Sequence, residues 1–464
     1  MSEQAEHVVI APSREDPAVE SLSQGIGGPL GRHAVDPPRR RFWIPPRVVM
    51  MAGILMLGAA WLQKLPCATG NWVNYRQYTQ LCYTDVLALW GGEGLNVGHI
   101  PYFQHAVEYP VLTGIVMGAL GLLAHKVFGS GGVAFYYQLN AIVLLIGGAL
   151  TIAAVYRLRA ARRPFDAMLV AVAPALLVTA LVNWDLIAVP LSVGFLLAWK
   201  TGRKILAGVL LGLAVAAKFY PLLLAGPLIL LAIRYRRLPP AVITVAAAAG
   251  TWLVINLPFI IWARDGWLRF FELNATRAVD WGTSWYILRG LVGEQSLPGQ
   301  LINNVDILNW MYLVAFVIAC LGIAVLCFTA PEPPRLAQLS FLVVAAFLLC
   351  GKVWSQQYLL WLLPLAVLAR PRWRMFLGWQ AAELFYFLAF YGELLSASDS
   401  TDHNVPAWAL VSPEWVFIAA SITRFGTVCA LCVLVVREVL RPRHDVVRLS
   451  YGGTDPDAGP LLTA

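Results

Sequence analysis

Apolar runs of spanning or near-spanning length follow one another along almost the whole chain. They begin near Val48, Ala134, Phe165, Leu186, Ile205, Phe219, Pro240, Ile307, Leu336, Tyr358, Met375 and Trp415. A straight helical crossing of a bilayer needs about 20 such residues, so the pattern predicts an all-α polytopic membrane protein of about twelve transmembrane helices. Some runs, such as Ile205–Ala217 and Tyr358–Ala369, are shorter than that and must extend into their flanks. Composition agrees: 59% of the 464 residues are hydrophobic and 13% are charged, against about 25% charged in soluble domains. The net charge of +8 is not the footprint of a nucleic-acid partner, because the basic residues fall in short clusters between apolar runs. That is the pattern of topology signals.

One further run, Val111–Phe128, decides the topology. The basic clusters are Arg39–Arg41, Arg157–Arg163, Lys200–Lys204, Arg234–Arg237, Arg335, Arg370–Arg374 and Arg437–Arg443. If Val111–Phe128 spans, Arg157, Arg159, Arg162 and Arg163 land outside, against the positive-inside rule. If it lies along the outer interface, every cluster and both termini face the cytoplasm. The second arrangement is expected here. It places outside a first loop of residues 64–133, the Asn183–Asp185 corner, Lys218, the loop from about Arg264 to Asp306, Lys352–Gln357 and a loop from about Glu393 to Pro413.

Residues 1–46 are polar, contain Pro and Gly, and lack the apolar core of a signal peptide. They read as a disordered cytoplasmic tail, and residues 438–464, from about Arg441 onward, read as a second one. The transmembrane domain is therefore expected over residues 47–437. Of the seven cysteines, Cys67 and Cys82 share the first outer loop, where an oxidising compartment permits a disulfide just before Asp85; two unpaired thiols are the other reading. Cys429 and Cys432 form a CxxC inside an apolar helix, and together with Cys320, Cys327 and Cys350 read as packing residues.

The first outer loop carries the chemistry. Val86–Trp90 is a short apolar turn broken by Gly91, Gly92, Gly94 and Gly98, and Glu108-Tyr109-Pro110 leads into Val111–Phe128. Asp85 and Glu108 thus flank a tight loop where an apolar wall meets water. A carboxylate held there binds its proton more tightly and can act as a general base. The same spacing also suits a plain structural role, with Asp85 capping the short helix and Glu108 paired to a base.

Four motifs in order resemble glycosyltransferase family 87, of the GT-C superfamily. They are Tyr83-Thr-Asp-Val with Gly98-His-Ile-Pro-Tyr and Glu108-Tyr-Pro-Val-Leu-Thr-Gly; Asn183-Trp-Asp-Leu; Ala216-Ala-Lys-Phe-Tyr-Pro; and Lys352-Val-Trp-Ser-Gln-Gln-Tyr-Leu-Leu-Trp-Leu-Leu-Pro. The resemblance covers about Arg47–Arg437. It implies a GT-C bundle with interfacial helices in the first loop and an extracytoplasmic active site in the plasma membrane. It implies Asp85 as the base that activates an acceptor hydroxyl. The family includes actinobacterial enzymes that use polyprenyl-phosphate mannose, so it also implies a polyprenyl-phosphate sugar donor, mannose above all, and a cell-envelope glycolipid or polysaccharide acceptor. The last motif departs from the family pattern, with Gln356 where a proline is expected.

The remaining site expectations follow from the reaction that the resemblance implies. Lys218 and Lys352 would hold the donor phosphate, with Arg277 and Arg264 as weaker candidates; a lysine at a span end also snorkels. Glu108, Tyr109, His105, Asn183, Asp185, Tyr220, Gln356 and Gln357 complete the substrate-binding set. Asp185 either caps a helix or touches a sugar hydroxyl or a divalent cation. His99, His105 and His403 are external, without metal-ligand spacing, and no cofactor is assigned. Trp281, Trp285 and Tyr286 read as an interfacial aromatic belt. Glu383 and Arg424 fall inside apolar runs at similar depth and read as a buried pair, with a polar cavity lining as the alternative. The competing functions are a lipid-sugar transporter or flippase and an arabinofuranosyltransferase of cell-wall assembly. The acids cluster at one face and no internal repeat is visible, which weighs against a transporter.

Overall fold

The computed structural model describes residues 21–22, 43–160, 162–402 and 405–462. Arg39–Arg41, most of the stretch read as an N-terminal tail, and His403 lie outside the described residues. Every regular element among the described residues is helical; Pro101 and His105 form an isolated bridge.

Six helices among the described residues are long and apolar enough to cross a membrane: Pro45–Cys67, Val111–Gly131, Val133–Leu158, Leu238–Trp262, Val305–Thr329 and Glu414–Leu440. Four apolar helices are shorter: Lys204–Ala217, Tyr220–Arg234, Leu336–Cys350 and Gln356–Ala369. Fourteen residues at about 1.5 Å each reach about 21 Å, short of a hydrocarbon core of about 30 Å. The shortfall lies in non-helical links around Val182–Asn183, Lys218 and Gly351–Ser355. Irregular backbone at membrane depth survives only where protein buries it or a cavity receives it, and these three links converge on one cavity.

Helix packing rests on close approach. Gly208 and Gly212 face Leu238–Trp262, and a Cβ at either would collide with the Thr244 or Ala248 carbonyl oxygen. The spacing is that of a small-xxx-small contact, in which small residues let two backbones pack together. Val305–Thr329 does the reverse. Trp310, Ile318, Leu321 and Val325 are exposed along it, and only Leu308, Ile323 and Cys327 are buried.

Basic residues of the described clusters gather where helices end near Leu158, Lys200, Ala369 and Leu440. Arg163 pairs with Asp166 at 2.6 Å and donates to the Pro371 carbonyl at 2.9 Å. Lys200 donates to the Leu158 carbonyl at 3.0 Å, and Arg370 and Arg372 both reach Glu438 at 3.0 Å. The segment after Leu440, which reads as a tail in the sequence, packs back onto these helix ends. The fully buried Arg335 meets Asp445 at 2.8 Å and Asp457 at 3.1 Å. It also donates to the Leu368 and Ala369 carbonyls at the end of helix Leu359–Ala369. Those carbonyls have no intrahelical donor, so a guanidinium with several N–H groups is a fitting cap.

Helix Val111–Phe128 is sheathed by the preceding loop. Tyr102, Pro101 and Leu95 lie against Gly114, Gly118 and Gly121 in turn, and Asn96 O meets His125 Nδ1 at 3.0 Å. Cys67 and Cys82 form a disulfide with Cα atoms 5.7 Å apart. The other five cysteines are free. Glu383 and Arg424 pair at 2.9 Å, both buried, joining helices Trp373–Asp402 and Glu414–Leu440.

Candidate functional site

Asp85 opens helix Asp85–Gly92 but does not cap it. The cap is Thr84, whose Oγ1 accepts from the Val86 N–H at 3.2 Å and donates to the Leu181 carbonyl at 2.7 Å. The Asp85 N–H donates to the Val182 carbonyl at 2.8 Å, fixing the backbone against the Asn183 corner. The carboxylate is left free for other work. Tyr83 Oη donates to its Oδ1 at 2.8 Å and Asn183 Nδ2 to its Oδ2 at 2.5 Å. Burial raises the proton affinity of Asp85 above that of an ordinary carboxyl; the hydrogen bonds from Asn183 and Tyr83 and the charge of Lys218 pull it back.

Asn183 is the hub. Besides Asp85, its Nδ2 donates to Tyr109 Oη at 2.7 Å, while its Oδ1 accepts from Lys218 Nζ at 3.2 Å and the Trp184 N–H at 2.6 Å. Lys218 also meets Asp185 Oδ1 at 3.5 Å and lies 5.2 Å and 5.9 Å from the Tyr109 and Tyr358 ring centres. Asp185 accepts from Trp361 Nε1 at 2.6 Å and is fully buried, so it neither caps its helix nor faces the cavity. Tyr220 stacks on Trp361 at 4.4 Å and donates to Ser192.

These groups border a cavity of about 590 Å³. Asp85, Glu108, Tyr109, Asn183, Lys218, Tyr220, Lys352, Gln356 and Gln357 all line it. His105 does not. It turns away to Glu93 at 3.4 Å and stacks near His99 at 6.2 Å, because the Pro101–His105 bridge folds this stretch back on itself. Glu93 in turn accepts from the Glu108 N–H at 3.4 Å, and burial pushes its carboxyl up to about 7. Glu108 is also raised, first by burial and then by the Asp85 charge; Arg277, Lys218 and Arg269 act against this.

Another part of the lining is cationic and aromatic. Lys352 donates to the Arg277 carbonyl at 2.7 Å and the Ala275 carbonyl at 3.3 Å. Arg277 pairs with Asp280 at 3.0 Å, and the Asp280 N–H donates to the Lys352 carbonyl at 2.9 Å. Trp281, which reads as a belt residue in sequence, lines the cavity with Tyr386 and Phe390. Trp285 donates instead to the Cys350 carbonyl at 2.7 Å, and Tyr286 lies 3.5 Å from Glu414. Gln356 donates to Tyr391 Oη at 2.8 Å.

Sequence reasoning passes over Tyr83, Glu93, Asp280, Trp361 and Tyr391. Tyr83 and Trp361 sit inside the quoted motifs, and a tyrosine two residues before an acid was a usable signal. Asp280 and Tyr391 carry no motif. No group of three His, Cys, Asp or Glu side chains among the described residues could hold a metal ion.

A family model described as Glycosyltransferase family 87 matches residues 107–351. The match takes in Glu108, Asn183 and Lys218 and leaves Asp85 and Lys352–Gln357 outside. No curated protein matches the chain. Among solved structures, the apo crystal structure of the Archaeoglobus fulgidus oligosaccharyltransferase is similar at 13% identity and a TM-score of 0.37, over 86% of this chain and 56% of that one. The chain thus spans just over half the length of that structure.

Proposed function

The chain belongs to glycosyltransferase family 87, and from that premise we propose that this membrane glycosyltransferase moves mannose from a polyprenyl-phosphate donor to a cell-envelope glycolipid or polysaccharide by a single inverting displacement. The observation that carries the reading is the Asp85 carboxylate. Both its oxygens are aimed by neutral donors, Tyr83 and Asn183, and it opens onto a cavity whose lining also holds Arg277 and Lys352.

The reaction asks for two separated functions. The acceptor oxygen attacks the anomeric carbon and gives its proton to Asp85. The bond from that carbon to the phosphate oxygen breaks, and polyprenyl phosphate leaves with the electron pair. One base suffices, since the phosphate is already a good leaving group. The growing phosphate charge needs cationic donors placed in advance. Lys218 is countered by Asp185 at 3.5 Å and stands beside Asp85. Lys352 has no carboxylate at ion-pair distance among the described residues, its ammonium meeting the Arg277 and Ala275 carbonyls and lying 5.9 Å from the Tyr312 ring centre, so Lys352 is the better phosphate end, with Arg277, itself paired to Asp280 at 3.0 Å, beside it. Lys218 then serves the base, holding Asn183 in the orientation that aims its Nδ2 at Asp85.

Orientation belongs to the same proposal. The cavity faces the extracytoplasmic side of the plasma membrane and the basic clusters and both termini face the cytoplasm, as the positive-inside rule requires. A disulfide beside Asp85 suits the oxidising side. Val111–Phe128, although long enough to span, is taken as interfacial. The irregular segment 95–102 runs along it with Asn96, His99 and four nearby glycines, and such backbone is not tolerated against lipid.

The test is Asp85→Asn in purified, full-length protein supplied with radiolabelled polyprenyl-phosphate mannose. Transfer should be lost with the melting temperature in detergent unchanged. Full turnover by the variant would remove Asp85 from the mechanism. Transfer by the wild type from polyprenyl-phosphate arabinose alone would replace mannose as the sugar.

A further inference from the structure

Arg424 does more than neutralise Glu383. Its guanidinium is fully buried between helices Trp373–Asp402 and Glu414–Leu440, with Nε 2.9 Å from Glu383 Oε2. Nη1 also donates to the Trp354 carbonyl at 3.1 Å and Nη2 to the Ser355 carbonyl at 3.3 Å. The Trp354 and Tyr386 rings each lie 4.2 Å from it. Trp379 Nε1 donates to the other Glu383 oxygen at 2.9 Å, which fixes the carboxylate and so the fork it faces.

The two carbonyls belong to the unwound stretch between helices Leu336–Cys350 and Gln356–Ala369. Backbone of that kind has no ladder of its own, so its buried carbonyls need donors from elsewhere. The same stretch carries Lys352 two residues before Trp354, and Gln356 and Gln357 directly after Ser355. The Lys352 carbonyl accepts from the Asp280 N–H, and the Lys352 ammonium holds the Arg277 and Ala275 carbonyls. Arg424 does not line the cavity itself, whereas Ser355, Lys352 and Tyr386 do.

We propose that Arg424 is a positioning residue: held by Glu383, it fixes the Trp354–Ser355 backbone and thereby sets Lys352 and Arg277 at the phosphate end of the cavity. Arginine suits the task because its planar fork reaches a carboxylate and two carbonyls at once, which an ammonium on a single axis cannot do. The inference rests on the proposed donor for its kinetic test and on geometry alone for its chemical one.

Two variants separate positioning from bulk stability. Arg424→Lys keeps a positive charge opposite Glu383 and loses the fork. Glu383→Leu with Arg424→Met removes both charges, leaving no unpaired ion in the bundle. Two readouts are taken on purified full-length protein. The first is the KM for radiolabelled polyprenyl-phosphate mannose, with an envelope lipid extract as acceptor. The second is labelling of Lys352 by an amine-directed acylating reagent, followed by mass spectrometry. Lys352 is only 5% exposed, so its labelling is slow while the stretch is held. In both variants the donor KM should rise at least tenfold and Lys352 labelling at least fivefold, with the melting temperature within a few degrees of wild type. Folded variants with wild-type KM and wild-type labelling would overturn the proposal, as would failure of both to fold, which would make Arg424 purely structural. If the wild type transfers nothing from this donor, the proposed donor falls, and Lys352 labelling still decides the role of Arg424.

Discussion

Tyr83→Phe tests how Asp85 is tuned without touching the carboxylate. The tyrosine hydroxyl donates to Asp85 Oδ1 at 2.8 Å, and phenylalanine keeps the ring that packs near Trp72 and Tyr78 at 5.5 Å and 6.2 Å. A hydrogen bond to a charged group contributes about 1.5–3 kcal/mol. Asp85 is partly buried at the edge of the cavity, and the lower end, about 1.5 kcal/mol, is the conservative figure. The bond favours the ionised carboxylate, so its loss raises the proton affinity of Asp85 further. The base must be ionised to act. On the acid limb of the pH–rate profile the variant should therefore be about tenfold slower, since 1.36 kcal/mol is a factor of ten. On the alkaline plateau the rates should nearly converge, with Asn183 still holding Oδ2. The assay is kcat/KM for labelled polyprenyl-phosphate mannose across the pH range. A uniform loss at every pH, with the acid limb unmoved, would refute the assignment of that limb to Asp85.

Three further outcomes follow from the geometry. Replacing Cys67 and Cys82 by serine removes a cross-link between residues separated by 15 positions; it should cost about 3 kcal/mol, read as a lower melting temperature, and mass mapping without reductant should show the pair joined in the wild type. Arg335→Met takes the nearest cation from buried Asp445, leaving Arg448 at 3.9 Å and the Gln338 amide, and should destabilise by about 3 kcal/mol; a melting temperature equal to wild type would mean the C-terminal segment is not docked. Glu93 holds its proton up to about 7 in the fold against 4.5 for the free group. The folded state therefore binds more protons than the unfolded state between those values, and stability falls as pH rises through that window. Glu93→Gln should flatten that fall in melting scans, and an unchanged slope would place the titrating group elsewhere.

Hydropathy and charge made the membrane class and the single-ended site legible. Each is a local sum over a window, and lipid enforces it strongly. The Glu383–Arg424 pair was legible for the same reason: two ions in apolar runs at matching depth need each other. Asp85 was singled out through the motif that resembles the family; its spacing alone left a helix cap open, and only the fold gives that cap to Thr84. His105 was misplaced because its neighbourhood in sequence says nothing of the Pro101–His105 bridge that turns it toward Glu93. Asp185 was placed at the right corner, read as a helix cap or a contact to sugar or cation, but its partners Lys218 and Trp361 lie far along the chain. The Gly208–Gly212 contact was present as spacing yet invisible without its partner helix.

By itself, then, the sequence determined a membrane-type chain and brought Asp85, Glu108, Asn183 and Lys218 forward as candidates, which the fold gathers around one cavity. Only the tertiary structure decided what aims them. Asn183 reaches Asp85 across a sequence separation of 98 residues, and Arg424 reaches the Trp354 carbonyl across 70. The reason is physical. Burial from water is scored residue by residue along the chain, whereas a hydrogen bond needs donor and acceptor within about 3 Å, and the packing of distant helices alone sets that distance.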